Sequence, residues 1–316
     1  LATAVPAVLA HAQSNAPMKV TLAGGSVGGA WSVAGNAIGE TLRREYPNTS
    51  FTYEPGREQS NILLVSQGRV QLGIAHAQLA GRALSGGEPF KQPVTNIRAI
   101  AVIDPLAAMQ VFARQGSDFQ SFEQVRRDKK PIRVALNQRG TMMALAGEEL
   151  LAAKGIPAKD IEAWGGKVHY VAYNEGLEMM KNKQVDLIVN LLAFPSGQVA
   201  SATREMPVQM VGLTPEVQGA LQKSLGMMPI EVPAKTYDFQ PAAVPSATAT
   251  VVLVANASMS DEDAGKIVSA MLRNMDFLKQ SHAMMRQLDP AALARVAPLT
   301  LHPGAEKAYR AAGALK

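Results

Sequence analysis

The feature that most constrains this chain is a unit that occurs three times: a short apolar strand, a glycine- or serine-rich loop, and a helix. The three units cover residues 18–39, 52–68 and 132–155. Each junction leaves unpaired backbone N–H groups at a helix start, where the helix dipole is positive. Because that arrangement binds small anions without a dedicated lysine or arginine, the three units predict a cleft for a small, negatively charged molecule.

Strands and helices alternate along the chain, and the strands are short, nearly unbroken apolar runs. This pattern is typical of parallel strands covered on both faces and predicts an α/β fold. The predicted strands are 19–22, 49–53, 71–75, 98–103, 132–136, 168–173, 185–191, 209–212 and 248–255. The predicted helices include 32–44, 61–66, 142–154, 175–182 and 261–276.

The same order of elements occurs twice, across residues 18–76 and again across 132–191. Two extended apolar segments, 99–113 and 246–255, are long enough to cross from one half to the other. We therefore expect two lobes, each a mostly parallel sheet flanked by helices, joined by two hinge strands around a cleft. The predicted first lobe comprises 18–104 and 246–316, and the second comprises 105–245.

The first twelve residues are apolar and end in Ala10-His11-Ala12. This pattern is typical of the end of a secretory signal peptide and its A-x-A cleavage site, so residues 1–12 are predicted to be a signal peptide remnant. Cleavage would leave Gln13 first. The chain has no cysteine, which excludes disulfides and thiolate metal sites. We expect an exported protein that is free in the periplasm.

Charge and composition narrow the class of ligand. The net charge is +5, the basic residues are scattered, and aromatic residues make up only 5%, so a nucleic-acid surface is not expected. The five histidines show no metal-ligand spacing, and no phosphate-loop motif is present. We predict no metal, no cofactor and no catalytic residue.

The residues of the glycine- and serine-rich loops are the candidates for ligand contact. Glycine lets the backbone approach a ligand closely, Trp31 either stacks on a ligand or packs within its lobe, and polar residues at a helix start either cap the helix or donate to an anion. The candidates in the first two loops are Gly25, Ser26, Gly28, Gly29, Trp31, Ser32, Arg57, Gln59, Ser60 and Asn61.

The remaining candidates follow the third strand and the strands of the second half. They are His76, Gln78, Arg139, Gly140, Thr141, Met142, Asn190 and Phe194. Arg139 is the preferred charged contact, because it lies inside the third loop. Thr141 is expected to cap the helix that starts at Met142, which contributes to the pocket wall or to the core. Glu58 is expected to be a surface carboxylate.

Seven short motifs, in order, give this chain a resemblance to a known family. They are GGSVGGAWSVAGNAIG at 24–39, a stretch at 54–73, the loop at 134–141, YNEGLEMMKNKQVD at 173–186, FPS at 194–196, IEVPAKTY at 230–237 and LHPGAEKAY at 301–309. In this order and spacing the chain resembles the TAXI-type solute-binding proteins of TRAP transporters. Where that family has Gly-Ser in its second loop, this chain has Glu58-Gln59.

The resemblance implies a type II-like periplasmic binding fold and a function in transport. Such a receptor captures a small organic anion, of the dicarboxylate, acidic amino acid or 2-oxoacid type, and delivers it to the TRAP membrane subunits. It is a monomer, lies outside the membrane and performs no chemistry. The same fold also serves ABC importers and sensors, and the chain alone does not distinguish them.

A serine hydrolase is a second class to consider, because Gly24–Gly28 spells G-x-S-x-G on a strand-to-helix turn. Ser26 would be the nucleophile and His302 a late base. Against this, the serine follows the very first strand, and no oxyanion-hole motif lies upstream. We therefore expect a binding protein.

Overall fold

A computed structural model describes residues 17–315, so the predicted signal peptide remnant and cleavage site lie outside the described residues. Within that range ten strands form one mixed sheet. The strands are β1 Lys19–Gly24, β2 Ser50–Pro55, β3 Leu72–His76, β4 Ile97–Arg114, β5 Arg133–Leu136, β6 Lys167–Tyr170, β7 Leu187–Leu192, β8 Val208–Met210, β9 Met228–Val232 and β10 Val244–Asn256.

Helices cover this sheet. They are α1 Ala30–Glu45, α2 Glu58–Ser66, α3 Ala77–Ser85, α4 Phe122–Asp128, α5 Met142–Ala153, α6 Ala158–Ala163, α7 Tyr173–Lys181, α8 Gly197–Ala202, α9 Pro215–Leu225, α10 Asp261–Arg273, α11 Met275–Ser281, α12 Pro290–Leu293 and α13 Pro303–Ala311, with a 3₁₀ turn at Ala283–Met285. Among the described residues, no helix has both the length and the apolar character required to cross a bilayer.

The strand order is β2-β1-β3-β10-β4-β7-β5-β6, with β8 on β4 and β9 on β10. In the first half β1 is parallel to β2 and β3, and in the second half β5 is parallel to β6 and β7. The two halves are joined by β4 and β10. Parallel units in both halves confirm the predicted α/β fold with two lobes.

The long strands β4 and β10 run through both halves. The first part of β4 pairs with β10, and its last residues pair with β7 and β8. The start of β10 pairs with β9 and its end with β3. The predicted crossing segments therefore exist, while the residue boundaries of the lobes stay a prediction. Pairing between β4 and β10 is irregular around Asp104 and Ala107.

The core follows from the apolar runs recognised in the sequence. Ile100, Ile103 and Val111 of β4 and Val252 and Val254 of β10 are fully buried, because helices or further strands cover both faces of the sheet centre. At the first-half edge, α10 packs on α1 and α13. The loops at the strand ends project from this buried sheet.

Some element boundaries differ from the predictions. The strand predicted to reach Tyr173 ends at Tyr170 as β6, and α7 begins at Tyr173. The helix predicted over 261–276 is interrupted at Asn274, whose side-chain amide donates to the Ala270 carbonyl at 3.0 Å and to Glu45 at 3.0 Å. Such side-chain competition for backbone partners ends a helix early.

A buried hydrogen-bond network holds β4 against the α8 region. The Tyr237 hydroxyl donates to Gln110 Oε1 at 2.6 Å and accepts from the Ser196 N–H at 3.0 Å. Gln110 is completely buried and also donates to the Leu192 carbonyl at 3.1 Å. This network positions Ser196, the N-cap of α8, next to the end of β7.

Tyr237→Phe is expected to destabilise the protein by about 1–3 kcal/mol, because it leaves two buried polar groups without a partner. Equilibrium urea unfolding measures the loss. The matched control is Tyr46→Phe, since the buried Tyr46 hydroxyl has no hydrogen-bond partner in the described structure. Equal losses in the two variants would contradict the role assigned to the network.

Candidate ligand-binding cleft

A cavity of about 230 Å³ lies between the two halves of the sheet. Its walls come from the first two loops of the first half and from the strand ends of the second half. The lining residues are Gly25, Ser26, Val27, Gly29, Ala30, Trp31, Gly56, Arg57, Glu58, Asn137, Gln138, Thr141, Met143, Ala172, Tyr173, Asn174, Asn190, Leu191, Leu192 and Gln198.

These lining segments lie at or just after the carboxyl ends of β1, β2, β5, β6 and β7. Open α/β sheets bind their ligands at such strand ends, where the chain turns from strand into helix. The positions of the lining residues therefore follow from the parallel pairing on both sides of the cleft. The cavity wall contains both polar amide and hydroxyl groups and the apolar side chains of Trp31, Met143 and Leu191.

The start of α1 forms one wall. Its N-cap is Gly29 in an extended conformation, and within the described chain no side chain caps this helix and no acidic residue lies in its first turn. Gly28 has φ +77° and turns the loop so that the Gly29 N–H donates to the Ser26 carbonyl at 3.1 Å, a conformation that favours glycine. The positive end of α1 is therefore available to an anion.

The start of α7 forms the opposite wall. Its N-cap is Ala172, and no side chain of residues 17–315 caps it. Tyr173 and Asn174 of its first turn line the cavity. The Tyr173 hydroxyl is buried and lacks a hydrogen-bond partner among the described residues, and burial raises the pKa of Tyr173 well above its ordinary value. Tyr173 is therefore neutral at physiological pH.

At the start of α5, backbone N–H groups already donate to side chains of the protein. Thr141 caps the helix by accepting from the Ala144 N–H at 3.1 Å, as predicted. The Met142 N–H donates to Glu58 Oε2 at 2.8 Å. Glu58 is 1% exposed, so the expectation of a surface carboxylate was wrong: Glu58 finds buried N–H donors from Met142 and His76 that sequence does not reveal.

Side-chain amides form a polar strip between these helix starts. The Asn137 amide donates to Asn190 Oδ1 at 3.2 Å, and Asn137 Oδ1 accepts from the Gln138 N–H at 2.7 Å. On the α7 side, Gln198 donates to Asn174. Because amides both donate and accept, this strip can hold the hydroxyl, keto or carboxylate oxygens of a small acid.

The structure brings seven of the predicted candidates onto the cavity wall. They are Gly25, Ser26, Gly29, Trp31, Arg57, Thr141 and Asn190. The others do not line this cavity. They are Gly28, Ser32, Gln59, Ser60, Asn61, His76, Gln78, Arg139, Gly140, Met142 and Phe194.

Several of these other candidates hold the loops in place. The Asn61 amide donates to the carbonyls of Gly24 at 3.1 Å and Ile74 at 3.0 Å, and ties the first loop to the sheet. The Ser32 hydroxyl donates to the Gly29 carbonyl at 2.9 Å. The Ser60 hydroxyl donates to the Arg57 carbonyl at 2.7 Å. These side chains therefore stabilise the loops without lining the cavity.

His76, Gln78 and Phe194 lie at other places. The His76 ring faces Glu58, with Nδ1 at 3.1 Å from Oε1, and lies 5.3 Å from the Trp31 ring between centroids. Gln78 accepts from the Thr250 N–H at 3.3 Å. Phe194 lines a separate small cavity beside Asp104.

Arg139 points away from the cavity. Its guanidinium carbon lies 3.6 Å from the centroid of the Tyr170 ring, and Nη1 lies 3.3 Å from Glu148 Oε1. The preference for Arg139 as a charged contact rested on its position in the loop alone. Because β5 and β6 are neighbours, the aromatic ring of β6 offers the guanidinium a stacking partner.

Five polar lining residues were missed by the sequence reasoning. They are Asn137, Gln138, Tyr173, Asn174 and Gln198. For Asn137 the information was present, since it directly follows β5. Tyr173 and Asn174 were missed because the preceding strand was extended three residues too far, which hid the start of α7.

The geometry does not support a Ser26–His302 pair. Nδ1 of His302 accepts from the Gly304 N–H at 3.2 Å, and the residue is 1% exposed. Its own N–H donates to the Ala99 carbonyl at 2.8 Å. Ala99 lies three strands away from Ala23 in the sheet, a separation of about 14 Å at the usual strand spacing.

The fold is that of two-lobed periplasmic binding proteins, as the solved structures show. MatC from Rhodopseudomonas palustris with bound malate has a TM-score of 0.59 at 13% identity, covering 95% of this chain and 99% of that chain. The periplasmic binding protein BugD has a TM-score of 0.55 at 15% identity, covering 94% and 98%. A binding protein component of an ABC phosphonate transporter from Pseudomonas aeruginosa has a TM-score of 0.52 at 12% identity, covering 85% and 79%.

The chain belongs to the NMT1-like family, whose sequence model matches residues 22–313. The match includes both halves of the sheet and all the loops that line the cavity. At 12–15% identity the solved structures establish the fold alone.

Proposed function

We propose that this protein is an extracytoplasmic receptor that captures a small organic anion in the cleft and delivers it to a membrane transporter. One observation carries the proposal: the starts of α1 and α7, one from each half, line the same cavity, and no described side chain caps either of them. Two positive helix ends facing one small polar cavity favour an anion that bridges them.

The ligand class is a small organic acid of the dicarboxylate, acidic amino acid or 2-oxoacid type. A cavity of about 230 Å³ accommodates a molecule of this size, and the amide strip offers donors for its oxygens. The malate found in MatC supports an acid of this size in this fold. The ligand drives closure of the lobes through contacts that it gains only in the closed state.

The membrane partner that we propose is a TRAP-type transporter, on the strength of the ordered motifs described above. An ABC importer is the second candidate, favoured by the likeness to the ABC phosphonate-binding component. In either case we propose a monomeric periplasmic protein released by cleavage before Gln13, with lobes at 18–104 plus 246–316 and at 105–245.

A thermal-shift screen of the protein from Gln13 tests the capture of an acid. The panel contains dicarboxylates, acidic amino acids, 2-oxoacids and aromatic acids, with matched neutral amides as controls. A ligand that binds only the folded state raises the melting temperature with concentration. An unchanged melting temperature with every acid, together with an increase with neutral or cationic solutes, would overturn the proposal.

Arg57→Ala is expected to weaken binding of the anion about five- to tenfold, or about 1–1.4 kcal/mol, because Arg57 lines the cavity at an exposed position where its charge is partly screened. Arg139→Ala is the matched control, since its guanidinium stacks on Tyr170 outside the cavity. Isothermal titration calorimetry measures both. A larger loss in Arg139→Ala than in Arg57→Ala would contradict this placement.

A further inference from the structure

The buried carboxylate of Glu58 lies where three helices begin. Glu58 is in the first turn of α2, and its Oε2 accepts from the N–H of Met142, the first residue of α5, at 2.8 Å. Its Oε1 accepts from the N–H of His76, the N-cap of α3, at 2.6 Å and lies 3.1 Å from the ring Nδ1. The side chain has no exposed surface.

These surroundings are those of an anion site. Both carboxylate oxygens accept backbone N–H groups, which are donors only, and the three helix starts each add positive potential. The site is assembled from both halves, since α2 and α3 belong to the first half and α5 to the second. A neighbouring hydrogen bond, from the Gln59 N–H to the Gly140 carbonyl at 2.9 Å, links the same two helix starts.

We propose that Glu58 determines the ligand class of the cleft, by occupying this anion position itself and so restricting the ligand to one anionic group. The inference rests on the proposed function. Glu58 lines the main cavity, and its carboxylate accepts the Met142 N–H, which is therefore not free to bind a second carboxylate of a ligand. The starts of α1 and α7 remain for a single anionic group.

Electrostatic repulsion from Glu58 also disfavours a second carboxylate on the ligand. A second carboxylate brought beside Glu58 would place two like charges in a site shielded from water, where their interaction is far stronger than in bulk solvent. Of the acids named above, 2-oxoacids with one carboxylate should therefore bind the cleft more tightly than dicarboxylates and acidic amino acids.

The first arm of the test needs no cleft ligand. Glu58→Ala leaves a carboxylate-sized space at the three helix starts, which formate fills. We expect formate to raise the melting temperature of Glu58→Ala in a saturable way, and formamide, its neutral analogue, to have no such effect. The wild type and the control variant Glu54→Ala, which alters an exposed glutamate of β2, should show a clearly smaller response, because Glu58 fills this position in both and formate can bind only elsewhere in the cleft. An equal response in all three proteins, or none in Glu58→Ala, would overturn the assignment of the site.

The second arm measures selection with acids that differ by one carboxylate, lactate against malate and propionate against succinate, by calorimetry. The same comparison is made for each acid found in the thermal-shift screen. In the wild type the monocarboxylate should bind at least about tenfold tighter than its partner, and Glu58→Ala should reduce or reverse that ratio. Glu58→Gln, which keeps the shape and removes the charge, provides the same comparison should Glu58→Ala not fold.

The possible results separate the two claims. Dicarboxylates that bind the wild type as tightly as monocarboxylates, or a ratio that does not change in either variant, would overturn the role of Glu58 in selection and leave the receptor function intact. No binding of any acid to any of the proteins would overturn the proposed function, and selection with it. The formate experiment on Glu58→Ala would still test whether Glu58 fills an anion site.

Discussion

Asp186→Asn is expected to lower the free energy of unfolding by about 3–5 kcal/mol at neutral pH, because it removes a buried carboxylate that two arginines share, one of which, Arg114, is largely buried. Within the described structure, Asp186 accepts from Arg133 Nη2 at 2.7 Å, from Arg133 Nε at 3.1 Å and from Arg114 Nη2 at 3.1 Å. Its side chain is 3% exposed and that of Arg114 is 13% exposed. The variant leaves the Arg114 charge without compensation at the end of β4.

The stability lost in Asp186→Asn should be larger at neutral pH than at acidic pH. Burial acts to raise the pKa of Asp186, but the hydrogen bonds from Arg133 and Arg114 outweigh it and hold the pKa below the ordinary value of 3.8. A depressed folded-state pKa contributes stability above the unfolded pKa, and this stability is lost as the pH falls through the folded pKa. The difference between wild type and variant should therefore shrink below pH 4.

Urea unfolding at pH 7 and at pH 3 measures both effects. The matched control is Asp128→Asn, which alters a carboxylate paired with Arg127 on the exposed surface, and we expect no measurable change in stability there. A loss in Asp186→Asn that is the same at both pH values would show that packing, and not charge pairing, accounts for the destabilisation.

Asp104→Asn is expected to have the opposite effect and to stabilise the protein at pH 8. Asp104 is 4% exposed, and its Oδ1 accepts from the Leu106 N–H at 3.0 Å. Burial raises the pKa of Asp104 from 3.8 to about 7, although the hydrogen bond from the Leu106 N–H and the nearby His76 act to lower it. Ionisation of this carboxyl group in the folded state is therefore costly, and an asparagine avoids that cost.

The sign follows from the raised pKa. The contribution of Asp104 to stability is fully present below the unfolded pKa of 3.8 and is lost as the pH rises through the folded pKa of about 7. At pH 8 the asparagine variant should be more stable by about 2–4 kcal/mol, and near pH 4 the two proteins should be equal.

Thermal and urea unfolding between pH 4 and pH 8 test this expectation. Two histidines, His76 and His282, line the same small cavity as Asp104, so the profile should be repeated in a His282→Gln background to separate their titration. Asp238→Asn, at an exposed position, is the control and should show no such profile. A stability difference that is constant across the pH range would contradict the raised pKa.

Much of the fold could be predicted from the sequence, because it depends on local patterns. Continuous apolar runs mark strands that are covered on both faces, and the long runs of β4 and β10 indicated the crossing segments. The glycine- and serine-rich loops indicated three of the strand ends that line the cleft, and Thr141 was recognisable as a helix cap from its residue type and position.

The candidate site was less predictable, because a side chain's partner lies far away in the chain. Arg139 and Arg57 look alike as loop arginines, yet one stacks on Tyr170 and the other lines the cavity. The start of α7 was hidden by an error of three residues at the end of a strand, and that error was enough to remove Tyr173 and Asn174 from the candidates.

Local sequence patterns were therefore enough to predict the α/β class, the two crossing strands and three of the loops at the cleft, since these follow from apolar periodicity and backbone conformation over a few residues. The positions of the charged groups at the site could be known only from the folded structure. It placed Glu58 against Met142, 84 positions away along the chain. Burial and hydrogen bonding between distant segments decide whether a carboxylate is a surface group or fills an anion site, and no local pattern encodes them.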